Sequence, residues 1–185
     1  MDVLNHLREE DNEIVAFDIE TNSTDEKNCT IIGIAVTCYE DEGMYIPLYE
    51  YNGTELVPFW AKELEEATIV RDLCDILINK KLIMHNGVFD IACIFHSFGI
   101  NLTDALYCDT ILLKHTLDEE RPFGLKDLGQ KYFGDEAVSE QLDLKANVTS
   151  KGGKWNMRNK DMYMADLDIL GKYACKDVIL TLKAI

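Results

Sequence analysis

The chain has 185 residues, 47% of them hydrophobic, and its 34 acidic against 18 basic residues leave a net charge of −16. That apolar fraction fills one core and excludes a disordered chain, and no apolar run reaches membrane-spanning length. The acidic balance and the scattered lysines and arginines exclude a protein that holds nucleic acid mainly through its own phosphate contacts.

Residues 1–13 are polar and acidic and read as a frayed or helical lead-in. The apolar run 14–20 then reads as a buried strand with two acids near its end, Asp18 and Glu20. A turn over 22–28, rich in Asn, Ser, Thr and Asp, leads to a second strand over 31–36, and the turn 40–43 leads to a third over 44–48. Short connections predict antiparallel neighbours, and Pro47 predicts that the third strand lies at an edge.

From Leu56 onward the period changes. Leu73, Ile76 and Leu77 fall on one helical face, and Leu82-Ile83-Met84 reads as a fourth strand. A helix opens at Asn86, buries Phe89, Cys93 and Ile94, and ends near Gly99. Residues 105–108 form a fifth strand, Asp109 caps a helix over 110–117, and 124–133 form a short amphipathic helix closed by Gly134. Residues 147–160, with Gly152-Gly153, read as a mobile loop before a last helix over 161–183. The fold expected is α/β: a mixed sheet of about five strands, an antiparallel meander followed by parallel strands, flanked by helices in one domain spanning 1–185.

Six widely spaced cysteines with no Cys-x-x-Cys pair argue against zinc and for reduced, buried thiols in an intracellular or cytoplasmic protein. His85, His96 and His115 sit beside apolar residues and read as structural. Trp155 with Lys151, Lys154 and Arg158 is the one modest basic-aromatic cluster, read as surface loop before substrate contact.

Chemistry concentrates on the acids. Alternation along a strand puts Asp18 and Glu20 on one face, so two like charges stand side by side and call for a cation. The same Asp-x-Glu spacing at Asp11 to Glu13 and Asp118 to Glu120 lies in charged, solvated stretches, so context singles out the first pair. A Mg²⁺ or Mn²⁺ site needs further hard oxygen ligands. The candidates are Asp90, one helical turn after Asn86, and Asp177, one turn after Tyr173. The plain alternatives are that Asn86 is only a helix cap and Tyr173 only a core tyrosine with its hydroxyl at the surface.

Three motifs in order, Phe17-Asp18-Ile19-Glu20-Thr21, His85-Asn86-Gly87-Val88-Phe89-Asp90 and Tyr173-Ala174-Cys175-Lys176-Asp177, resemble the 3′→5′ exonuclease (proofreading) domain of A-family DNA polymerases. That domain belongs to the tyrosine subclass of the DEDD nucleases, with a ribonuclease H-like fold. The resemblance extends through Tyr45-Ile46-Pro47, Cys108-Asp109-Thr110 and Phe123-Gly124-Leu125-Lys126-Asp127-Leu128.

The resemblance implies two divalent ions, Mg²⁺ or Mn²⁺, held by Asp18, Glu20, Asp90 and Asp177, with Tyr173 orienting the attacking water. It makes Thr21 and Asn86 contacts to the terminal nucleotide of a single-stranded DNA 3′ end. It also implies that the chain is a fragment of, or homologous to, the N-terminal part of a larger polymerase, whose covalently linked remainder would supply positive surface. Thr24 stands where relatives place an apolar residue that separates the terminal bases, so that separation is expected to differ. RNA-trimming exonucleases share the subclass, which leaves RNA open as the substrate. A catalytically silent 3′-end-binding scaffold is the alternative of another class, against which the intact acidic set argues.

Overall fold

The computed structural model describes residues 7–8, 13–60, 63–157 and 159–185. The expected lead-in over 1–13 lies largely outside these, as does Arg158 of the basic-aromatic cluster.

Seven strands are described: β1 (Ile14–Thr21), β2 (Ile31–Thr37), β3 (Met44–Pro47), β4 (Tyr49–Tyr51), β5 (Leu56–Pro58), β6 (Lys81–Met84) and β7 (Leu106–Asp109). The helices are α1 (Glu63–Leu77), α2 (Gly87–Phe98), α3 (Thr110–Leu117), α4 (Leu125–Phe133), α5 (Ser139–Ser150) and α6 (Leu167–Lys183). Five strands form one sheet in the order β3-β2-β1-β6-β7. β1 pairs antiparallel with β2 and β2 with β3, whereas β1–β6 and β6–β7 are parallel. This is the mixed sheet expected, with the acid-bearing strand at its centre and the Pro47 strand at an edge.

The two faces of β1 do different work. Val15, Phe17 and Ile19 point into the main core with Ile34 and Val36 of β2, Leu73 and Leu77 of α1 and Ile94 of α2. Each such side chain, fully buried, contributes roughly 1.5–3 kcal/mol, so this face holds the strand in place against the repulsion of the acids on the other. The other face carries Ala16 beside Ala35 of β2, and Ala174 and Val178 of α6 pack directly on them. Small side chains on both sides let α6 approach the sheet closely.

Three expectations need correction. Residues 147–150 belong to α5, and the segment after it is tied down: Lys154 donates its amide to Asp161 Oδ2 at 2.6 Å, and Trp155 bridges to Lys160. The helical signal is weak because only Leu144 and Val148 of α5 are buried. The last helix begins at Leu167, since Asp161 is occupied by that amide and 162–164 make a single tight 3₁₀ turn. Third, only Cys74 and Cys93 are buried; the other four thiols are half-buried, none of the six is in a disulfide, and the Cys29 and Cys93 sulfurs lie 3.3 Å apart. The β4–β5 hairpin escaped notice because its strands are three residues long. Among the described residues, no helix is long and apolar enough to cross a membrane.

Candidate active site

One carboxylate oxygen from each of Asp18, Glu20 and Asp177 lies within 4.8 Å of the others. Asp18 and Glu20 pair with Ala35 and Gly33 of β2, which puts them on the α6 face of the sheet. Asp177 reaches them because Ala174, one turn earlier, sits against Ala16 and Ala35. Tyr173, on the turn that precedes Asp177, is 8% exposed and packs among Ile32, Leu144 and Val148, and burial followed by the Asp177 charge pushes its hydroxyl up. The hydroxyl end of the Tyr45 ring covers Gly33, where a Cβ would come within 2.2 Å of the hydroxyl oxygen.

Asp90, in the first turn of α2, stands outside the set of three but is buried beside it. Its Oδ2 has no hydrogen-bond partner. Asn86, the residue before the helix, adopts φ 63°, a left-handed conformation that Asn tolerates, and its side chain makes no cap. Its capping role is taken by Asp109 of β7. Oδ2 of Asp109 accepts the Gly87 amide at 2.8 Å, and Oδ1 accepts those of Asn86 at 3.2 Å and Ile111 at 2.9 Å. His85 Nδ1 lies 2.7 Å from Thr110 Oγ1, whereas His96 and His115 are exposed.

The acids perturb one another. Asp18 is pushed up to about 8, by burial first and then by the charge of Asp177. Glu20 and Asp90 are also raised well above the ordinary carboxylate range for the same first reason, followed in each case by the charge of Asp18. Asp177 is also raised by burial, but Lys126 and the Tyr173 hydroxyl oppose the shift. Lys126 of α4 forms an ion pair with Asp177 Oδ1, and its Nζ lies 4.3 Å from the centre of the Tyr173 ring. The sequence contained this lysine within a motif but gave it no role, because nothing local separates it from the other basic residues.

A cleft of about 630 Å³ opens beside Glu20, with residues 19–24 on one wall and Met157, Asn159, Lys160 and Met162 on the other. Thr21 lines it, with its hydroxyl donating to the Ser23 carbonyl at 2.7 Å. Asn86 is exposed and is not part of that lining. Lys151 of the basic-aromatic cluster is engaged elsewhere, paired with Asp166 at 2.5 Å.

A divalent cation suits this donor set. Hard carboxylate oxygens converge where burial and mutual repulsion favour their protonation, and a buried Asp90 oxygen is left without a partner.

Comparison with known proteins agrees with the geometry. A family model described as 3′-5′ exonuclease, of the A-type DNA polymerase group, matches residues 2–185. The chain is 26% identical over 176 residues to the DNA polymerase of Escherichia phage T5, covering 91% of this chain and 19% of that protein. It is 27% identical over 179 residues to DNA polymerase I of Pseudomonas aeruginosa, covering 94% and 18%. The chain thus spans about a fifth of the length of these curated relatives. Among solved structures, the apo form of a nuclease superposes with a TM-score of 0.64 at 19% identity, over 97% of this chain and 72% of that one. Brucella melitensis NrnC bound to pGG superposes with a TM-score of 0.60 at 18% identity, over 94% and 70%. These likenesses carry the fold, which is ribonuclease H-like. With a family model matching nearly its whole length, the chain belongs to the 3′-5′ exonuclease family of A-type DNA polymerases.

Proposed function

We propose that the chain removes nucleoside 5′-monophosphates from DNA 3′ ends as the proofreading part of a DNA polymerase. The observation that carries this reading is the convergence of Asp18 and Glu20, from the first strand, with Asp177, from the last helix. Asp18, Glu20 and Asp177 would hold one Mg²⁺ or Mn²⁺, and Asp90 with Asp18 would hold a second, largely through water. When bound, the ions polarise the phosphoryl oxygens, lower the pKa of water and stabilise the leaving 3′ oxygen.

The protein's own groups do the positioning. The Tyr173 hydroxyl, one helical turn before Asp177, would hold the attacking water beside the acids. Thr21 stands at the cleft mouth, suited to the terminal nucleotide, with Lys160 across from it as a cation for phosphate. Asn86 adjoins the helix that carries Asp90 and would contact the same nucleotide from the other side. A net charge of −16 leaves long-range attraction of DNA to other surfaces, and a covalently linked polymerase domain would supply them. The curated relatives are named DNA polymerases and are about five times longer than this chain, which supports that linkage.

The test is a 5′-labelled single strand incubated with protein and Mg²⁺ or Mn²⁺, beside an Asp18→Ala control. Stepwise shortening by the wild type and none by the variant is expected. A strand left intact by both, or shortened equally by both, ends the proposal. The likeness of fold to NrnC bound to pGG motivates an RNA strand of the same sequence in parallel, and faster loss of RNA would make this an exoribonuclease.

A further inference from the structure

The acidic centre contains its own cation. Asp18, Glu20 and Asp177 converge with Asp90 buried beside them, and Lys126 is paired with Asp177 from within the protein. Its side chain is 12% exposed and that of Asp177 11%, so neither group can turn to bulk water for compensation. The ammonium touches two things: the Asp177 carboxylate on one side and the face of Tyr173 on the other. Its charge also acts on Asp18 and Glu20. Lys160 acts only on Glu20 among the acids, and lies exposed on the cleft wall.

We propose that Lys126 is a built-in counter-cation, which holds the Asp177 carboxylate while no divalent ion is bound and competes with such an ion for it. The assignment rests on reading Asp18, Glu20 and Asp177 as metal ligands. The ammonium pairs with Asp177 Oδ1 alone among the three acids, so the ligand it contests is the one that α6 brings to the cluster. An ion binding Asp177 meets the ammonium as a like charge on the same carboxylate, and the two compete for it. Binding therefore costs the Lys126 ion pair, while the Tyr173 ring face keeps a place for the displaced ammonium. Lys126 is in this sense a positioning residue: it keeps Asp177 aimed at β1 before metal arrives and lowers the affinity with which metal is taken.

The experiment is calorimetric titration of Mn²⁺ into the full chain stripped with a chelator, without substrate. Lys126→Met keeps the side chain's length and removes its charge. It is expected to bind Mn²⁺ about tenfold more tightly than wild type, the scale of one lost charge-assisted contact. Its metal-free melting temperature should fall, while the melting temperatures with saturating Mn²⁺ converge. In an Asp177→Asn background the same substitution should change affinity little. Lys126→Arg, which retains the charge, should bind no more tightly than wild type and serves if the Met variant does not fold. Equal or weaker binding by Lys126→Met, or tightening by Lys126→Arg, overturns this assignment alone. Absence of Mn²⁺ binding by wild type overturns it together with the metal-ligand reading beneath it.

Discussion

Asp109 accepts the backbone amide of Gly87 at 2.8 Å, so the end of β7 fixes the start of the helix that carries Asp90. The same carboxylate takes the amides of Asn86 and Ile111, joining two helix beginnings through one buried side chain. Replacing it by Ala removes a cap and leaves buried donors unpaired. Asp109→Ala should therefore lose about 2–4 kcal/mol of stability. Urea unfolding checks this, and a change under about 0.5 kcal/mol, the range of ordinary surface substitutions, contradicts it.

Metal-free protein should lose stability as pH rises. Asp18 sits at about 8 when folded against 3.8 for the free group, and Glu20 and Asp90 are raised as well. Between those limits the folded state holds more protons than the unfolded chain, so raising pH from about 5 to 8 weakens the fold. Each kcal/mol of that loss lowers the melting temperature by about 2–4 °C. Below pH 4 the trend reverses, because Asp118 and Asp166 are lowered by Lys114 and Lys151 and lose those contacts when protonated. Thermal melts in chelator across pH, with Asp18→Asn flattening the upper slope, decide the matter.

Divalent metal should act in the opposite sense. Mn²⁺ at 100 times its dissociation constant is expected to stabilise the fold by about 2.7 kcal/mol, reversibly by chelator. The gain should grow towards pH 8, where the ligands shed protons more readily. Asp18→Asn should abolish most of it in the same melts.

Gly33 is required by the Tyr45 ring. A methyl group there would stand 2.2 Å from the hydroxyl oxygen, so Gly33→Ala should cost about 1–3 kcal/mol as the ring is driven out. Tyr45→Phe should be neutral or stabilising, because the hydroxyl is buried without a partner. Chemical denaturation of the two variants side by side tests the pair.

Tyr173→Phe keeps the packed ring and deletes the hydroxyl. Release of mononucleotide in a single turnover should slow by about 10²-fold, and unfolding should change by less than about 1.5 kcal/mol, the net worth of one hydrogen bond. Equal rates would remove Tyr173 from the chemistry.

Much of the centre was legible in the residues themselves. Alternation along an apolar run placed Asp18 and Glu20 on one face, and one-turn spacing tied Tyr173 to Asp177. Asp90 was placed beside them by its helix following directly on a buried strand. What stayed hidden depends on distant parts of the chain. Lys126 matters because α4 docks beside α6, and Asp109 because β7 ends next to the first turn of α2; neither fact has a local pattern. Helix α5 was missed for a different reason: two buried residues among twelve leave almost no periodicity to find.

The site's acids come from the first strand and the last helix, which has a consequence for how the molecule comes into being. An intermediate with its sheet assembled but α6 undocked would hold Asp18 and Glu20 in repulsion with no partner carboxylate opposite. Closure of so distant a contact is slow relative to local pairing. The three-acid cluster is complete only when the two ends of the domain have met, so the proposed activity, which needs all three acids, requires α6 docked on the sheet.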